Sequence, residues 1–387
     1  MSFADRPDTD RPVFIAKCDS YDPDTLDSVI NSAFDSIGIG PEELAGKKVM
    51  IKPNLILGKK PELAVTTHPN FLEACAKAAK LRGAEKVTVA ESPGGPYNAI
   101  SFSAVCKACG IASSPWYDLN SDFGFSQVAT EGRILKNSTF ITPFFESDVI
   151  IDLCKLKTHS LTKMTCASKN LFGLVPGVDK FGFHATFPDM KDFSAMLADL
   201  ANYVCSRKKV IAVCDAILSH EGNGPSQGSP RFTGYVLASR SVFSLDVVAE
   251  HMLKMDGEVL YLDAARELGL TKRQFDDIEI IGSEPVPCFD FKRPDSDSLS
   301  TIKNLSSIMD GKFIKLMEVR PKVNRSKCVG CGKCAASCPR KTIKMTGRKK
   351  KKAKIIHKNC IKCYYCQELC PAGAVFAKRN PILRVIH

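Results

Sequence analysis

The chain has 387 residues, 44% hydrophobic and 25% charged, with a formal net charge of +12. That length sets a prior of two or three domains, and the apolar share is ordinary for a globular protein with a large core. No run reaches the ~18 apolar residues of a membrane span. The polar stretch from Met1 to Pro12 also lacks the apolar centre of a secretory leader, so a cytoplasmic protein is expected.

Val13 to Lys17 reads as a short strand. Asp22-Pro23 is an N-cap followed by proline at the first helical position, and the helix it opens runs to about Ile37 and stops at Gly38. Lys48 to Lys52 is the next strand, ending in Pro53-Asn54. Pro69 opens a helix through Leu81. Lys86 to Ala90 is a strand that runs into Glu91-Ser92-Pro93-Gly94-Gly95-Pro96, and a helix covers Ala99 to Ala108. Asp148 to Leu153 is almost wholly apolar, as buried parallel strands are. It leads into Lys155-Leu156-Lys157-Thr158-His159. A short helix is expected around Lys169 to Phe172, then a long loop to Phe187. Asp189 to Cys205 reads as a helix and Lys209 to Ala216 as a buried strand, followed by a polar segment to Pro225. Gly234 to Ala238 is a strand, Ser244 to Lys254 and Val259 to Leu268 are helices, and Ile278 to Ile281 is a last strand. This alternation predicts an α/β fold with a doubly wound, mostly parallel sheet over residues 1–289. Residues 290–317 read as a linker and a bracing helix from Ile302 to Leu316, and residues 318–387 as a small α+β domain.

The charge is uneven along the chain. Residues 317–387 hold 19 Lys+Arg against 2 Asp+Glu, while the preceding residues hold 35 against 40. A strongly basic end on a mildly acidic body implies a partner protein with an acidic docking face or an anionic ligand nearby; a solvated basic surface would look the same. The run Arg348 to Lys352 has no aromatic residues between its lysines to stack bases, so a nucleic-acid partner is not expected.

Eight of the 17 cysteines lie in this basic end and form two copies of C-x₂-C-x₂-C-x₃-C-P: Cys328, Cys331, Cys334, Cys338 and Cys360, Cys363, Cys366, Cys370. Thiolate sulfur is a soft ligand suited to iron, and three closely spaced cysteines wrap one corner of a cubane while the fourth ligand comes from the other copy. One [4Fe–4S] cluster is therefore assigned to Cys328, Cys331, Cys334 and Cys370, and a second to Cys360, Cys363, Cys366 and Cys338. Zinc ribbons use paired C-x₂-C ligands instead. The other nine cysteines are scattered in apolar segments and read as small buried hydrophobes in a reducing compartment. Cys106-x-x-Cys109 lies late in an expected helix without the flanking residues that poise a dithiol, and belongs with them. The stretch over 318–380 resembles bacterial-type ferredoxins with two [4Fe–4S] clusters. The resemblance implies one-electron transfer, with Thr342 to Met345 and Ala374 to Phe376 as small strands.

In open α/β sheets, ligands bind beyond the carboxyl ends of the strands. Four polar segments follow four expected strands: Lys52 to Asn54, Glu91 to Pro96, Lys155 to His159 and Asp215 to Pro225. The stretches KPN (52–54), THP (67–69), ESPGG (91–95), KLKTH (155–159), KNLFG (169–173), FGFH (181–184) and EGNGP (221–225) resemble the family called domain of unknown function 362 (DUF362) over residues 13–285. That family often carries a two-cluster ferredoxin module. The resemblance implies an α/β domain coupled to electron transfer and supplies no reaction.

The residues themselves supply candidates. Lys52, Lys155, Lys157 and Lys169 could converge on a phosphate or carboxylate, although each alone could be a surface lysine. Gly94 and Gly95 would let the backbone approach a ligand, or form a tight turn, and Asn54 at a strand end is a further candidate for cofactor binding. His159, His184, Lys155 and Glu221 are candidate proton-handling groups, Glu221 having loop-amide bonding as its alternative role. No G-x-G-x-x-G follows a strand. A flavin or other small-molecule cofactor bound another way stays open. The expectation is an iron–sulfur redox protein: a reductase passing single electrons to a substrate or cofactor at the strand ends, or a non-catalytic electron-transfer or maturation partner.

Overall fold

A computed structural model describes residues 11–296 except 273, and residues 319–378 except 348 and 349. The strands of the larger part are β1 (Val13–Lys17), β2 (Lys48–Pro53), β3 (Lys86–Val89), β4 (Asp118–Leu119), β5 (Phe125–Ala129), β6 (Asn137–Ile141), β7 (Val149–His159), β8 (Lys163–Thr165), β9 (Lys209–Glu221), β10 (Ser229–Ser239) and β11 (Ile280–Gly282). Its helices are α1 (Pro23–Ser36), α2 (Pro41–Leu44), α3 (Pro69–Leu81), α4 (Ala99–Ala108), α5 (Thr142–Glu146), α6 (Ala167–Asn170), α7 (Gly177–Thr186), α8 (Met190–Arg207), α9 (Val242–Met252) and α10 (Leu260–Glu267). Among the described residues, nine strands form one sheet in the order β11-β1-β10-β9-β7-β2-β3-β4, with β8 paired to β7. The run β9-β7-β2-β3-β4 is parallel, and β10 is antiparallel to both neighbours.

Local chemistry sets the helix starts. The Asp22 side chain accepts from Asp24 N and Thr25 N at the head of α1, ahead of Pro23, and the helix buries Leu26, Ile30, Ala33 and Phe34 as one stripe. That stripe packs with Phe71, Leu72 and Phe102 on one face of the sheet. Phe193, Leu197, Val248 and Tyr261, from α8, α9 and α10, cover the other face. Burying both faces explains why β7 has no exposed residue over its eleven positions. The doubly wound, mostly parallel architecture expected from the sequence is what the structure shows. Cys106 and Cys109 lie in the first core, and burial pushes the Cys106 thiol up to about 12.

Several elements differ from expectation. β7 and β9 run on through the segments read as loops, reaching His159 and Glu221. The stretch expected as a long loop before Phe187 contains α7. Gly177, its first residue, has no room for a Cβ against the Pro93 and Gly95 carbonyls, so packing against the Glu91–Pro96 loop sets that helix start. The first residues of the expected linker are fastened to the body: Lys292 N donates to Glu221 Oε2 at 3.1 Å and Asp295 N to Asn223 Oδ1 at 2.8 Å. The helix expected from Ile302 to Leu316 lies outside the described residues.

The C-terminal module consists of β12 (Arg320–Val323), α11 (Lys333–Ala336), β13 (Ile343–Thr346), β14 (Lys352–Ile355), α12 (Tyr365–Glu368) and β15 (Val375–Lys378). Two antiparallel pairs, β12–β15 and β13–β14, enclose it. Among the described residues no helix is long and apolar enough to cross a membrane.

Candidate functional site

The two cysteine copies share one backbone. Gly330 and Gly332 lie at φ 76° and 77°, and the matching residues Lys362 and Tyr364 at 56° and 57°. These left-handed positions turn the chain twice, so that three cysteines face one space. The fourth cysteine of each copy accepts an N–H from four residues on: Thr342 N to Cys338 Sγ at 3.3 Å and Ala374 N to Cys370 Sγ at 3.2 Å. Cys328, Cys331, Cys334 and Cys370 line one cavity of about 340 Å³. Cys338, Cys360, Cys363 and Cys366 line another of about 350 Å³. Burial and the nearby Cys370, Cys331 and Cys328 thiolates push Cys334 up to about 11. Iron would relieve that repulsion by holding all four as thiolates, so the donor sets fit [4Fe–4S] clusters.

A third cavity lies where the module meets the sheet. It encloses about 600 Å³, counting its open mouth, and is lined by Asn54, Glu91, Gly94, Lys157, His159, Lys169, Lys180, His184, Tyr365 and Glu368, among others. The body supplies most of the lining, and α12 supplies Tyr365 and Glu368 from either side of Cys366. The contact is specific. Ser226 Oγ donates to Glu368 O at 2.8 Å, and Gln367 Nε2 to Ser160 Oγ at 3.2 Å. A Cβ on Gly94 would lie 2.6 Å from Leu369 Cδ2.

The floor of the cavity is a chain of paired polar groups. Lys52 is fully buried and ion-paired to Glu91, and also donates to Pro53 O at 2.8 Å. Gly173 of KNLFG touches this pair; a Cβ there would be 2.6 Å from Lys52 Nζ. Lys157 Nζ donates to Asn54 Oδ1 and Val65 O, both at 2.7 Å. Asn54 Nδ2 donates to Asn170 Oδ1 at 2.8 Å, and Asn170 Nδ2 to Asp152 Oδ1 at 2.7 Å. Asp246 on α9 accepts from Ala167 N at 2.6 Å and Ser168 N at 3.0 Å, which fixes α6 and the Lys169 and Asn170 it carries.

The walls are less saturated. His159 Nδ1 accepts from Leu161 N at 3.0 Å and Thr162 N at 3.2 Å, so the neutral ring carries its proton on Nε2. Nε2 lies 3.9 Å from Glu368 Oε2. Burial, then Lys169, Lys157 and His184, hold His159 well below the usual histidine range. His184 stacks on Phe193 with centroids 4.4 Å apart; burial and Lys169 bring it down to about 3. Burial lowers Lys157 and Lys169, and brings Lys180 to about 8 against the raising effect of Glu91. Burial raises Glu91 and Glu368 against neighbouring lysines. The hydroxyls of Thr165 and Tyr365 are buried, line or edge this space, and have no hydrogen-bond partner among the described residues. Lys157, Lys169 and Lys180 thus face Glu368 as the added carboxylate, Glu91 being engaged by Lys52. Buried lysines and partnerless hydroxyls give these walls hydrogen-bond donors that could be offered to an anionic group.

Several residues named from the sequence lie elsewhere. Lys155 is outside this cavity: its ammonium donates to Asp215 Oδ2 at 2.7 Å and to Tyr21 Oη at 3.0 Å. Glu221 bonds Arg231 Nη1 and Lys292 N, both at 3.1 Å, and so secures its loop. Gly95 abuts Gly177 and positions α7. Sequence reasoning missed Lys180, Tyr365 and Glu368. Glu368 had a signal, being the one acidic residue between positions 319 and 387. A further thiol group, Cys154, Cys166 and Cys214, is fully buried with sulfurs 3.6 and 3.7 Å apart, and its members hydrogen-bond to one another.

Residues 49–251 match the family model described as a domain of unknown function, DUF362. The chain belongs to the DUF362 family. Residues 327–374 match a 4Fe-4S dicluster domain, so the module on this DUF362 body is of the iron–sulfur electron-transfer type. The chain is 31% identical over 271 residues to a thylakoid-associated protein of Synechocystis, covering 67% of this chain and 80% of that one. It is 37% identical over 65 residues to an uncharacterized polyferredoxin-like protein of Methanocaldococcus jannaschii, covering 14% of this chain and 39% of that one. A crystal structure of a Thermotoga maritima protein aligns with TM-score 0.35 at 10% identity, over 56% of this chain and 55% of that one.

Proposed function

We propose that this protein is a reductase whose module delivers electrons to an anionic small molecule held in the cavity between α12 and the sheet. The observation that carries this reading is the placement of Tyr365 and Glu368, either side of the ligand Cys366, in one cavity with His159, Lys169 and Lys180. When bound, two [4Fe–4S] clusters, held by Cys328, Cys331, Cys334, Cys370 and by Cys360, Cys363, Cys366, Cys338, supply one-electron steps. Tyr365 lines both the Cys366 cavity and the anion cavity and so joins the two. Lys157 and Lys169 hold the anionic group as point charges. The His159 Nε2–H donates a hydrogen bond to an oxygen of the bound molecule, its tautomer fixed by the Leu161 and Thr162 amides. Lys180 exchanges a proton near neutral pH and is the group matched to proton delivery.

The test is anaerobic. Full-length protein is purified with its clusters, small molecules released on denaturation are identified by mass spectrometry, and the reduced protein is mixed with anionic candidates. Reoxidation by one of them, slowed at least about tenfold in Lys169→Met, supports the reading. Clusters that stay reduced with every bound anion overturn it. A flavin phosphate would satisfy the same lysines and is one of the identities the release experiment reports.

The basic module and the thylakoid association named for the Synechocystis relative favour a second reading, a non-catalytic electron-transfer or maturation partner. In that case the cavity binds an anion that sets docking. A co-purifying oxidoreductase that keeps full activity with the His159→Ala/Lys169→Ala variant would decide for it.

A further inference from the structure

The two cysteine-lined cavities are not equally placed. Cys338, Cys360, Cys363 and Cys366 share Tyr365 with the anion cavity, and none of the four is exposed. The other set faces outward: Cys331 is exposed, and Val329 beside Cys328 is 70% exposed, the most exposed large hydrophobic of the module among the described residues. Basic residues surround this tip. Lys327 and Lys333 flank the loop and are exposed. The β13–β14 hairpin closes on it from the side, with the Lys351 backbone against Gly330 and Lys352 Nζ donating to Arg325 O at 2.5 Å. Glu368 is the one acidic residue in 319–387, and its side chain, 14% exposed, is turned to the opposite end.

We propose that the tip formed by Arg325, Lys327, Val329, Cys331, Lys333 and Lys351 is the electron-entry port, and that its occupant is an acidic one-electron carrier protein. An exposed apolar centre with a charged rim is the anatomy of a transient protein interface, and a single-sign rim steers an oppositely charged carrier into register. The port lies at the thiolate set farther from the anion cavity, so electrons enter at Cys328–Cys334 and leave beside Tyr365. At the port one electron passes from the reduced centre of the carrier, which is oxidised by one, to the cluster held by Cys328, Cys331, Cys334 and Cys370, which is reduced by one. No bond forms and no proton moves. The port serves whichever acceptor the cavity holds, although the inward direction rests on the reductase reading.

The experiment is stopped-flow bleaching of the oxidised, full-length, cluster-loaded protein by a purified acidic ferredoxin kept reduced. The rate constant should fall about tenfold or more between low salt and about 0.5 M salt, where the screening length is only a few ångströms. Lys327→Glu/Lys333→Glu/Lys351→Glu, with unchanged iron content, should be slowed at least about tenfold at low salt. Reduction by the small cation reduced methyl viologen should not slow in that variant. A salt-independent rate, or equal slowing by Lys48→Glu/Lys86→Glu on the body, overturns the port. So does a triple variant that loses binding to phosphatidylglycerol vesicles or duplex DNA while its carrier rate is unchanged. Failure of the reductase reading looks different: normal reduction by the carrier, then clusters that never reoxidise.

Discussion

Lys155 and Lys157 are two residues apart on β7, equally buried, and belong to opposite kinds of network. Lys155 is saturated. Asp215 takes its ammonium at 2.7 Å and the Tyr21 hydroxyl at 2.7 Å, His68 N donates to the same carboxylate at 3.0 Å, and the His68 ring stacks on Tyr21 at 3.7 Å. Every charge there has its counter-charge inside the protein. Lys157 Nζ is bonded to the uncharged oxygens of Asn54 and Val65 and opens onto a space where Lys169 and Lys180 add positive charge and where the Thr165 and Tyr365 hydroxyls have no described partner. The difference teaches how to separate structural from functional buried lysines. A complete network holds the fold, and an incomplete one holds something else.

The comparison is tested most severely at Lys155. Lys155→Met should lower stability by about 3–5 kcal/mol, because Asp215 is left buried and unpaired. Thermal or denaturant unfolding measures this. Unchanged stability with lost turnover would move Lys155 into the functional group. Lys169→Met comes next. It should weaken binding of an anionic ligand roughly 10- to 100-fold, the worth of one charge-assisted hydrogen bond, with the melting temperature unchanged or higher. Calorimetric titration with citrate or inorganic phosphate reads the first, and a thermal scan the second. A variant that melts much lower would show that Lys169 is structural after all.

A smaller effect is expected from pH. Lys180 titrates at about 8 in the folded protein, against an ordinary lysine value of 10.5, so it is charged below that point and neutral above it. Anion affinity should therefore fall as pH rises through about 8. His184, brought down to about 3, is already neutral between about pH 5 and 7 and adds no step there. The stability contribution has the opposite sign. Between about 8 and 10.5 the unfolded chain binds more protons at this residue, so the penalty present below pH 8 is relieved as pH rises. Lys180→Arg should abolish the affinity step, since arginine stays charged. Thr165→Val is the mildest case. Removing a buried hydroxyl without a partner should leave stability equal or raise it by up to about 1 kcal/mol. A loss of several times that would reveal a hydrogen bond at Thr165 Oγ1 and place it with the saturated group.

The sequence showed that polar segments follow the apolar runs of the strands, but not that β7 and β9 continue through them or which way their side chains close. KLKTH was legible as a polar segment after an apolar strand, yet Lys155 and Lys157 are chemically identical in it. The β7–β9 register shift between Lys155 and Lys157 and the far-off partners Asp215, Tyr21 and Asn54 separate them, and none of these is local. The grouping of the eight cysteines into two sets was legible because the ligand spacing repeats within a short stretch. α7 was not, because its start depends on Gly177 meeting the Glu91–Pro96 loop. Glu368 and Tyr365 reach the cavity only through docking of the module onto residues far earlier in the chain, such as Ser160 and Ser226, 207 and 142 positions from their partners.

Gly94 is a point of close docking, with Leu369 Cδ2 2.6 Å from where its Cβ would stand and Tyr365 Oη 3.6 Å away. The consequence is one of ancestry. A gene fusion that merely tethered a ferredoxin to an enzyme could swap that ferredoxin for another without loss. Here a substitute lacking the Tyr365, Glu368 and Leu369 surface would leave the body with an unroofed cavity. Body and module must therefore have drifted together, and their interface residues should vary as matched pairs from lineage to lineage.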